Sequence, residues 1–589
     1  MSPEEEGAEA QQQAAMSALA PLYVPACPGS GKTHVIVARH LAQPACHFRQ
    51  ARALISFTRT ARNQMAERCR AEGRAELAAF PHFIGTMDSF LWEFLVRPYL
   101  PADRPWQLVD TWTALGAEVK LDRTVALAEF PFVVAPDNGA EYIAQQSFSE
   151  NHRGLISNSK YPWAAWVSAA WKERNRLVDQ GYLSCHENRL YALRHLITRA
   201  SEVLIPLRSR FSEVMVDEVQ DCSAVEIAIL GILHDAGVKL TVVGDPDQMI
   251  YEWRDADRQR LDEFTAKFDN KIELTGNRRS TPTICALAAT LRSGNRPPDI
   301  SVAGHDDDLP VLLIPTVFKK KGIAECAGSG SDVLEIFCEQ ATTRAHIPPE
   351  NCLITARNRD TLPIMPSQRG ANRITRLARA WELVNSGRGA AAEVEQACRA
   401  AASTLLGYWY PDVSGSVEAI ARKQHLQVRD LLRQGYAFLA ALARPHPQWN
   451  NDVNALIKSW PRPATAMPRA TKGLFRGGPT SVVSTAPVDP RPRIDIVHQI
   501  KGDAADAVLL LLPDPGVGAR WRDGDPACDE ELRILYVAVT RARRLAGLAM
   551  PEGELDVIRA ILTAAHVPHH VIGPAESLKL GGGTQGWQA

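Results

Sequence analysis

Residues 21–33, PLYVPACPGSGKT, set a short apolar strand, a Gly-rich turn and a helix-forming run, HVIVARHLA, in immediate succession. A chain that leaves a strand through such a turn must lay the following helix back across a sheet, so the segment commits its surroundings to layered α/β construction. The turn also carries chemistry. Its backbone N–H groups point inward at phosphate oxygens, the helix N-terminus adds partial positive charge, Lys32 reaches terminal phosphates, and Thr33 offers a hydroxyl to Mg²⁺. Ala26 stands where the strict pattern has Gly. Alone, such a turn is also compatible with plain chain punctuation.

A second feature narrows the reading. VMVDEVQD at 214–221 ends a hydrophobic strand in two carboxylates, Asp217 and Glu218. The first can hold Mg²⁺ through water and the second can polarise an attacking water, although an acidic pair at a strand end is by itself also a common solvated turn. The two features in this order point to hydrolysis of a nucleoside triphosphate.

Strand-like runs recur at both ends of the chain: ALIS (53–56), EVMV (213–216) and KLTVVG (239–244), then RIDIV (493–497), AVLLLL (507–512) and LAGLAM (545–550). Near-continuous apolar runs between helical patterns predict parallel strands covered on both faces. Residues 91–206 and 360–479 read instead as helical, the latter through RITRLARAWELVN and VRDLLRQGYAFLAALAR. The expected organisation is α/β, with a first domain at 1–90 and 207–275 interrupted by a mainly helical insertion at 91–206. A second domain at 276–359 and 480–560 is interrupted by another at 360–479, and 561–589 forms a C-terminal tail.

Composition excludes several classes. The chain has 589 residues, 45% hydrophobic and 23% charged, which is globular and at roughly 150 residues per domain suggests about four units. The acidic opening, MSPEEEGAEAQQQAAMSALA, argues against a targeting peptide, and no run approaches a membrane span. Eleven cysteines without a C-x-x-C pair suggest reduced thiols in a cytoplasm and no zinc or iron–sulfur centre. A formal net charge of −1 gives no basic footprint of a nucleic-acid partner.

The full motif series nevertheless resembles the UvrD/Rep type of superfamily 1 DNA helicases. ACPGSGKT (26–33) is similar to that family's phosphate loop, which itself begins with Ala, and Gln12 in Q-x-x-A-M matches its adenine-reading glutamine, within a run Gln11, Gln12, Gln13 that leaves the register open. SFTRTARNQMAER (56–68), GTMDSF (85–90), VDEVQD, VVGDPDQMIYEWR (242–254), NRRST (277–281), VHQIKGDAADAV (497–508) and EELRILYVAVTRAR (530–543) follow in the family's order. The resemblance implies two RecA-like P-loop NTPase domains with parallel sheets, each carrying an insertion where the family has its accessory subdomains.

The same resemblance assigns roles. Lys32, Asp217, Glu218, Gln248, Arg279 and Arg541 are the expected catalytic set, with Gln248 sensing the γ-phosphate and the two arginines stabilising its charge. ATP is expected on Gln12, Ala26, Cys27, Pro28, Gly29, Ser30, Gly31, Lys32, Thr33, Arg279 and Arg541, with Mg²⁺ on Thr33 and Asp217. Single-stranded DNA is expected on Phe57, Thr58, Arg59, Thr86, Tyr251, Trp253 and His498, where aromatic faces stack on bases at roughly 1–3 kcal/mol each. Taken singly, Tyr251 and Trp253 would read as core, the arginines as solvated charges and His498 as an ordinary histidine. Cys27 replaces a common Gly, Arg278 stands where the family often has an adenine-stacking Tyr, and Ile496 and Ala504 replace its Thr and ribose-contacting Glu, with Asp503 beside them.

The expected function is ATP-dependent 3′–5′ movement on single-stranded or 3′-tailed DNA with duplex unwinding, in DNA repair or recombination. The alternative is a DNA-sensing regulatory ATPase working with a separately encoded nuclease in defence against phage. If the strand is gripped by stacking and a few local contacts, few counterions leave on binding. Single-strand affinity, followed by fluorescence anisotropy, should then fall only shallowly between about 50 and 200 mM salt.

Overall fold

The computed structural model describes residues 3–42, 50–144, 154, 156–250, 256–294, 298–319, 323–362, 373–385, 391–411, 417–424, 426–446, 448–468 and 492–573. Two sheets organise it. The first contains β1 (Leu22–Pro25), β2 (Ala51–Ser56), β3 (Phe83–Thr86), β4 (Phe211–Val216) and β5 (Leu240–Gly244), in the order β1-β5-β4-β2-β3 with every pairing parallel. All six residues of β2 and all five of β5 are buried, as apolar runs covered by helices on both faces require. Because the strands run the same way, their carboxyl ends lie on one edge, where ligands of open parallel sheets bind. The segments beginning at Ala26, Phe57, Met87, Asp217 and Asp245 all leave from that edge.

The second sheet contains β6 (Val311–Lys319), β7 (Ile323–Cys326), β8 (Cys352–Ala356), β9 (Arg493–Ile496), β10 (Ala505–Leu511), β11 (Ala542–Met550) and β12 (His569–Val571). Its order is β7-β6-β11-β10-β8-β9, with β12 on β6, and only the β6–β7 pair is antiparallel. The six strand-like runs of the sequence all fall on these two sheets.

The helical reading of 360–479 agrees with the described helices there, which close around Trp409, Phe438 and Trp449. A Cβ at Gly435 would collide with the Cys398 carbonyl, so glycine permits the close crossing of helices Ala391–Trp409 and Val428–Ala441. The reading of 91–206 needs correction. Helices occupy its second part, from Trp163, but its first part holds short strands that pair as Glu118–Lys120 with Thr124–Ala126 and Phe132–Val134 with Glu141–Ile143. Strands of three residues are too short to show a period of two. The tail expected from 561 also begins later, because β12 completes the second sheet beside β6. Among the described residues no helix is long and apolar enough to cross a membrane.

An N-terminal helix, Pro3–Ser17, is fixed to the first sheet by a buried charge. Arg39 donates from Nη1 to the carbonyls of Ala15, Met16 and Ala18 at 3.1, 3.2 and 2.6 Å, satisfying the helix end, and from Nε to Glu213 on β4 at 2.8 Å. Thr241 donates to the same carboxylate oxygen at 2.5 Å. Arg39→Met would strand the buried Glu213, at a cost of about 3–5 kcal/mol. A clear drop in the urea midpoint is expected, and an unmoved midpoint would show that Glu213 does not depend on Arg39.

Candidate functional site

The turn after β1 is held open by two glycines with positive φ, Gly29 at 73° and Gly31 at 85°. A Cβ at Gly29 would collide with Asn277 Oδ1 and the Arg279 Cβ, so the loop lies directly against the NRRST segment. Arg278 N donates to the Gly29 carbonyl at 3.0 Å. Cys27 is buried, and its N–H bonds the Leu274 carbonyl at 3.0 Å.

Carboxylates from β4 meet the loop. Thr33 donates to Asp217 Oδ2 at 2.7 Å, and Lys32 Nζ lies 3.4 Å from Glu218 Oε2. Burial, reinforced by neighbouring Glu218, pushes Asp217 above the ordinary carboxylate range. Burial pushes Glu218 the same way, but Lys32 and Lys501 overcome it and hold this carboxyl low. For Lys32, Glu218, Asp245 and Asp217 outweigh burial and keep the ammonium charged. Glu218 adopts a left-handed backbone, φ 53°, a strained conformation for a residue with a side chain. Gln220 donates to Glu218 Oε2 at 2.5 Å and accepts from Asp245 N at 3.1 Å, so one amide links the ends of β4 and β5. A hydroxyl and a carboxylate set side by side could hold a Mg²⁺ ion, which favours one or two protein oxygens and completes its shell with phosphates and water.

The second sheet closes the site. Gln248 donates to Asp245 Oδ2 at 2.9 Å, Tyr536 donates to the same oxygen at 3.0 Å, and Arg541 Nη2 donates to Gln248 Oε1 at 3.3 Å. Arg279 donates to the Thr540 carbonyl at 3.0 Å. Burial lowers both arginine pKa values, with Arg543 adding to it at Arg279 and Arg279 at Arg541. Two crowded, desolvated guanidinium groups could receive an anion of phosphoryl kind.

Three consecutive carbonyls beyond Asp247 are each held from the second sheet's side. Lys501 Nζ donates to Gln248 O at 2.8 Å, Arg533 Nε to Met249 O at 2.6 Å, and the His498 Nε2–H to Ile250 O at 3.1 Å. Lys501 also pairs with Asp221, both side chains being 7% exposed. Asp221 sits at about 6, raised by burial and by Glu218 against the pull of Lys501.

The structure therefore gathers Gln12, residues 26–33, Asp217, Glu218, Gln248, Arg279 and Arg541 into one site. Of the two glutamines, Gln12 donates to the Ser30 carbonyl at 2.6 Å, whereas Gln11 bonds Thr275. The expected strand-contact residues are less uniform. Phe57 packs on the first sheet's core, Thr58 is exposed and caps helix Arg59–Ala71, and Thr86 forms a capping box with Ser89. His498 is half-buried on Ile250. Tyr251, Trp253 and the Arg59 side chain lie outside the described residues. Sequence reasoning did not single out Lys501, Asp245, Gln220, Tyr536 or Arg533, all inside or beside quoted motifs, because a polar residue's partner across a fold leaves no local pattern.

Residues 8–269 match the UvrD/REP helicase N-terminal domain. DNA helicase II of Escherichia coli (strain K12) is 28% identical over 301 residues, which is 48% of this chain and 40% of that protein. The ATP-dependent DNA helicase Rep of the same organism is 28% identical over 311 residues, covering 48% of this chain and 43% of that one. PcrA of Leuconostoc citreum is 26% identical over 305 residues, 48% and 39% respectively. The chain thus matches about two fifths of the length of these relatives.

Lys501→Met would leave Asp221 buried without its cation, at about 3–5 kcal/mol if it stays charged. Amide exchange in residues 218–221 should quicken by roughly 100-fold while β4 itself is unaffected. Unchanged exchange would show that residues 218–221 do not depend on Lys501.

Proposed function

We propose that this chain, a UvrD/Rep-type superfamily 1 protein, is an ATP-driven motor that moves 3′ to 5′ on single-stranded DNA and separates duplexes ahead of it. Its two sheets are read as paired RecA-like domains with the nucleotide between them. The observation that carries this reading is the bridge from Asp245 through Gln248 to Arg541, which joins the carboxyl edge of one sheet to the other beside Lys32 and Glu218.

In this reading Lys32 and the loop N–H groups bind the β- and γ-phosphates, and Thr33 and Asp217 would hold a Mg²⁺ ion, which would supply neutralisation of phosphate charge. Glu218, kept ionised by Lys32 and Lys501 and oriented by Gln220, accepts a hydrogen bond from the attacking water and aims it at the γ-phosphorus. Arg279 and Arg541 face the charge that spreads over the transferred group's oxygens. Gln248 would respond to the γ-phosphate, and the gripped carbonyls of Gln248, Met249 and Ile250 tie the backbone that precedes Tyr251 and Trp253 to the second sheet. With Phe57, Thr58, Arg59, Thr86 and His498 these aromatics would form the strand track, so that alternate closing and opening steps the protein along the bases.

Lys32→Ala and Glu218→Gln should each reduce single-strand-stimulated ATP turnover by at least about a thousandfold while DNA binding stays measurable. Retained turnover in either variant would remove the nucleotide-site assignment. Strand displacement on 3′-tailed, 5′-tailed and blunt duplexes tests the motor. Displacement confined to 3′-tailed substrates is expected, whereas stimulated ATPase without displacement on any substrate points to the DNA-sensing ATPase with a nuclease partner.

A further inference from the structure

Helix Pro282–Ala289 begins just after Arg279 and is followed by a buried cation that phosphate chemistry does not account for. Arg292 lies among buried carboxylates. Its Nη1 is 2.8 Å from Asp299 Oδ1, and its Nε is 4.0 Å from Asp247 Oδ2. Burial alone would lower the Arg292 pKa, but Tyr536, Asp299, Asp245 and Asp247 overcome it, so the guanidinium stays charged.

Asp247 is where this cluster reaches the nucleotide site. It precedes Gln248 in the turn Pro246–Gln248, its side chain is fully buried, and its N–H donates to Asp245 Oδ1 at 3.2 Å. Ser293 donates to Asp247 Oδ1 from Oγ at 2.5 Å and from its backbone N at 3.3 Å, and Arg258 Nη1 lies 3.5 Å from the same oxygen. Arg292 faces the other oxygen. The turn that carries Gln248 is therefore fixed at both ends, by the bond from Gln248 Nε2 to Asp245 and by the seat of the Asp247 carboxylate on residues 292 and 293. Carboxylates buried side by side repel one another, and they keep both charge and position only with a cation among them. Arg292 is that cation, because it faces Asp247 and Asp299 together.

Taking the nucleotide-site reading above as given, we propose that Arg292 is a positioning residue for Gln248: by holding Asp247 at the end of helix Pro282–Ala289, its charge keeps the Pro246–Gln248 turn in the setting from which the Gln248 amide meets the γ-phosphate. Arg292 acts through Asp247 and touches no nucleotide. The same helix has Arg279 just before its start, so one element joins an arginine of the candidate site to the cation that seats Gln248.

The test is steady-state ATP hydrolysis by the full chain with saturating oligo-dT. Arg292→Met should lower kcat by roughly 10- to 100-fold with KM for ATP within about threefold, since a misplaced Gln248 weakens the transition state more than ground-state binding. Arg292→Lys, which restores the charge, should recover most of the loss. Adding Arg292→Met to Gln248→Ala should cost nothing beyond Gln248→Ala alone, because both changes remove the same contact. Arg292→Met combined with Asp299→Asn removes the ion pair together, strands no carboxylate at residue 299 and should show the same kcat loss; with thermal melts as the check on folding, it carries the comparison if the single variant does not fold. Unchanged kcat in the Met variants, no recovery with Lys, or losses that multiply with Gln248→Ala would overturn the positioning role while leaving the ATPase reading intact. Absence of DNA-stimulated hydrolysis in the wild type would instead overturn the nucleotide site, and the role with it.

Discussion

Asp245 is a buried carboxylate whose partners come from both sheets, and the arrangement of the candidate site follows from that constraint. Gln248 and Tyr536 both donate to its Oδ2, and Gln248 in turn accepts from Arg541. Such a network stabilises only when every member is bonded, because an orphaned charge in low dielectric costs several kcal/mol. These bonds hold Arg541 near Lys32 and Glu218, and parting the two sheets would have to break them. Four side chains, Asp245, Gln248, Tyr536 and Arg541, make this joint at the ends of the parallel strands.

Lys501, Arg533 and His498 hold three successive carbonyls of the segment that follows Gln248. Main-chain carbonyls gripped one after another tie the backbone that follows Gln248 to the second sheet. Lys501 has a second part in this, since its pairing with Asp221 also keeps a positive charge near Glu218.

The near-neutral net charge acquires a structural meaning. Arg39, Arg52, Arg533 and Arg541 are among the largest fully buried side chains, and each is spent on internal carbonyls or polar partners. Basic residues that serve as joints do not contribute to a surface field. Overall charge therefore says little about the local field at a cleft.

Much of this was legible in the amino-acid order. Strand, Gly-rich turn and helix at 21–42, the carboxylates closing β4 and the order of the later motifs are local patterns, each set by backbone geometry or by spacing along the chain. The helices of 373–459 showed their period, while the three-residue strands of 118–143 are too short to have one. Contacts between distant residues were not legible: the bond from Arg278 to Gln12 and the reach of Lys501 to Asp221 join residues 266 and 280 positions apart. Sequence fixed which side chains stand at strand ends because periodicity and turn chemistry act within a few residues. Only the tertiary structure decided which of them meet, because the requirement that every buried polar group find a partner is satisfied across the whole fold.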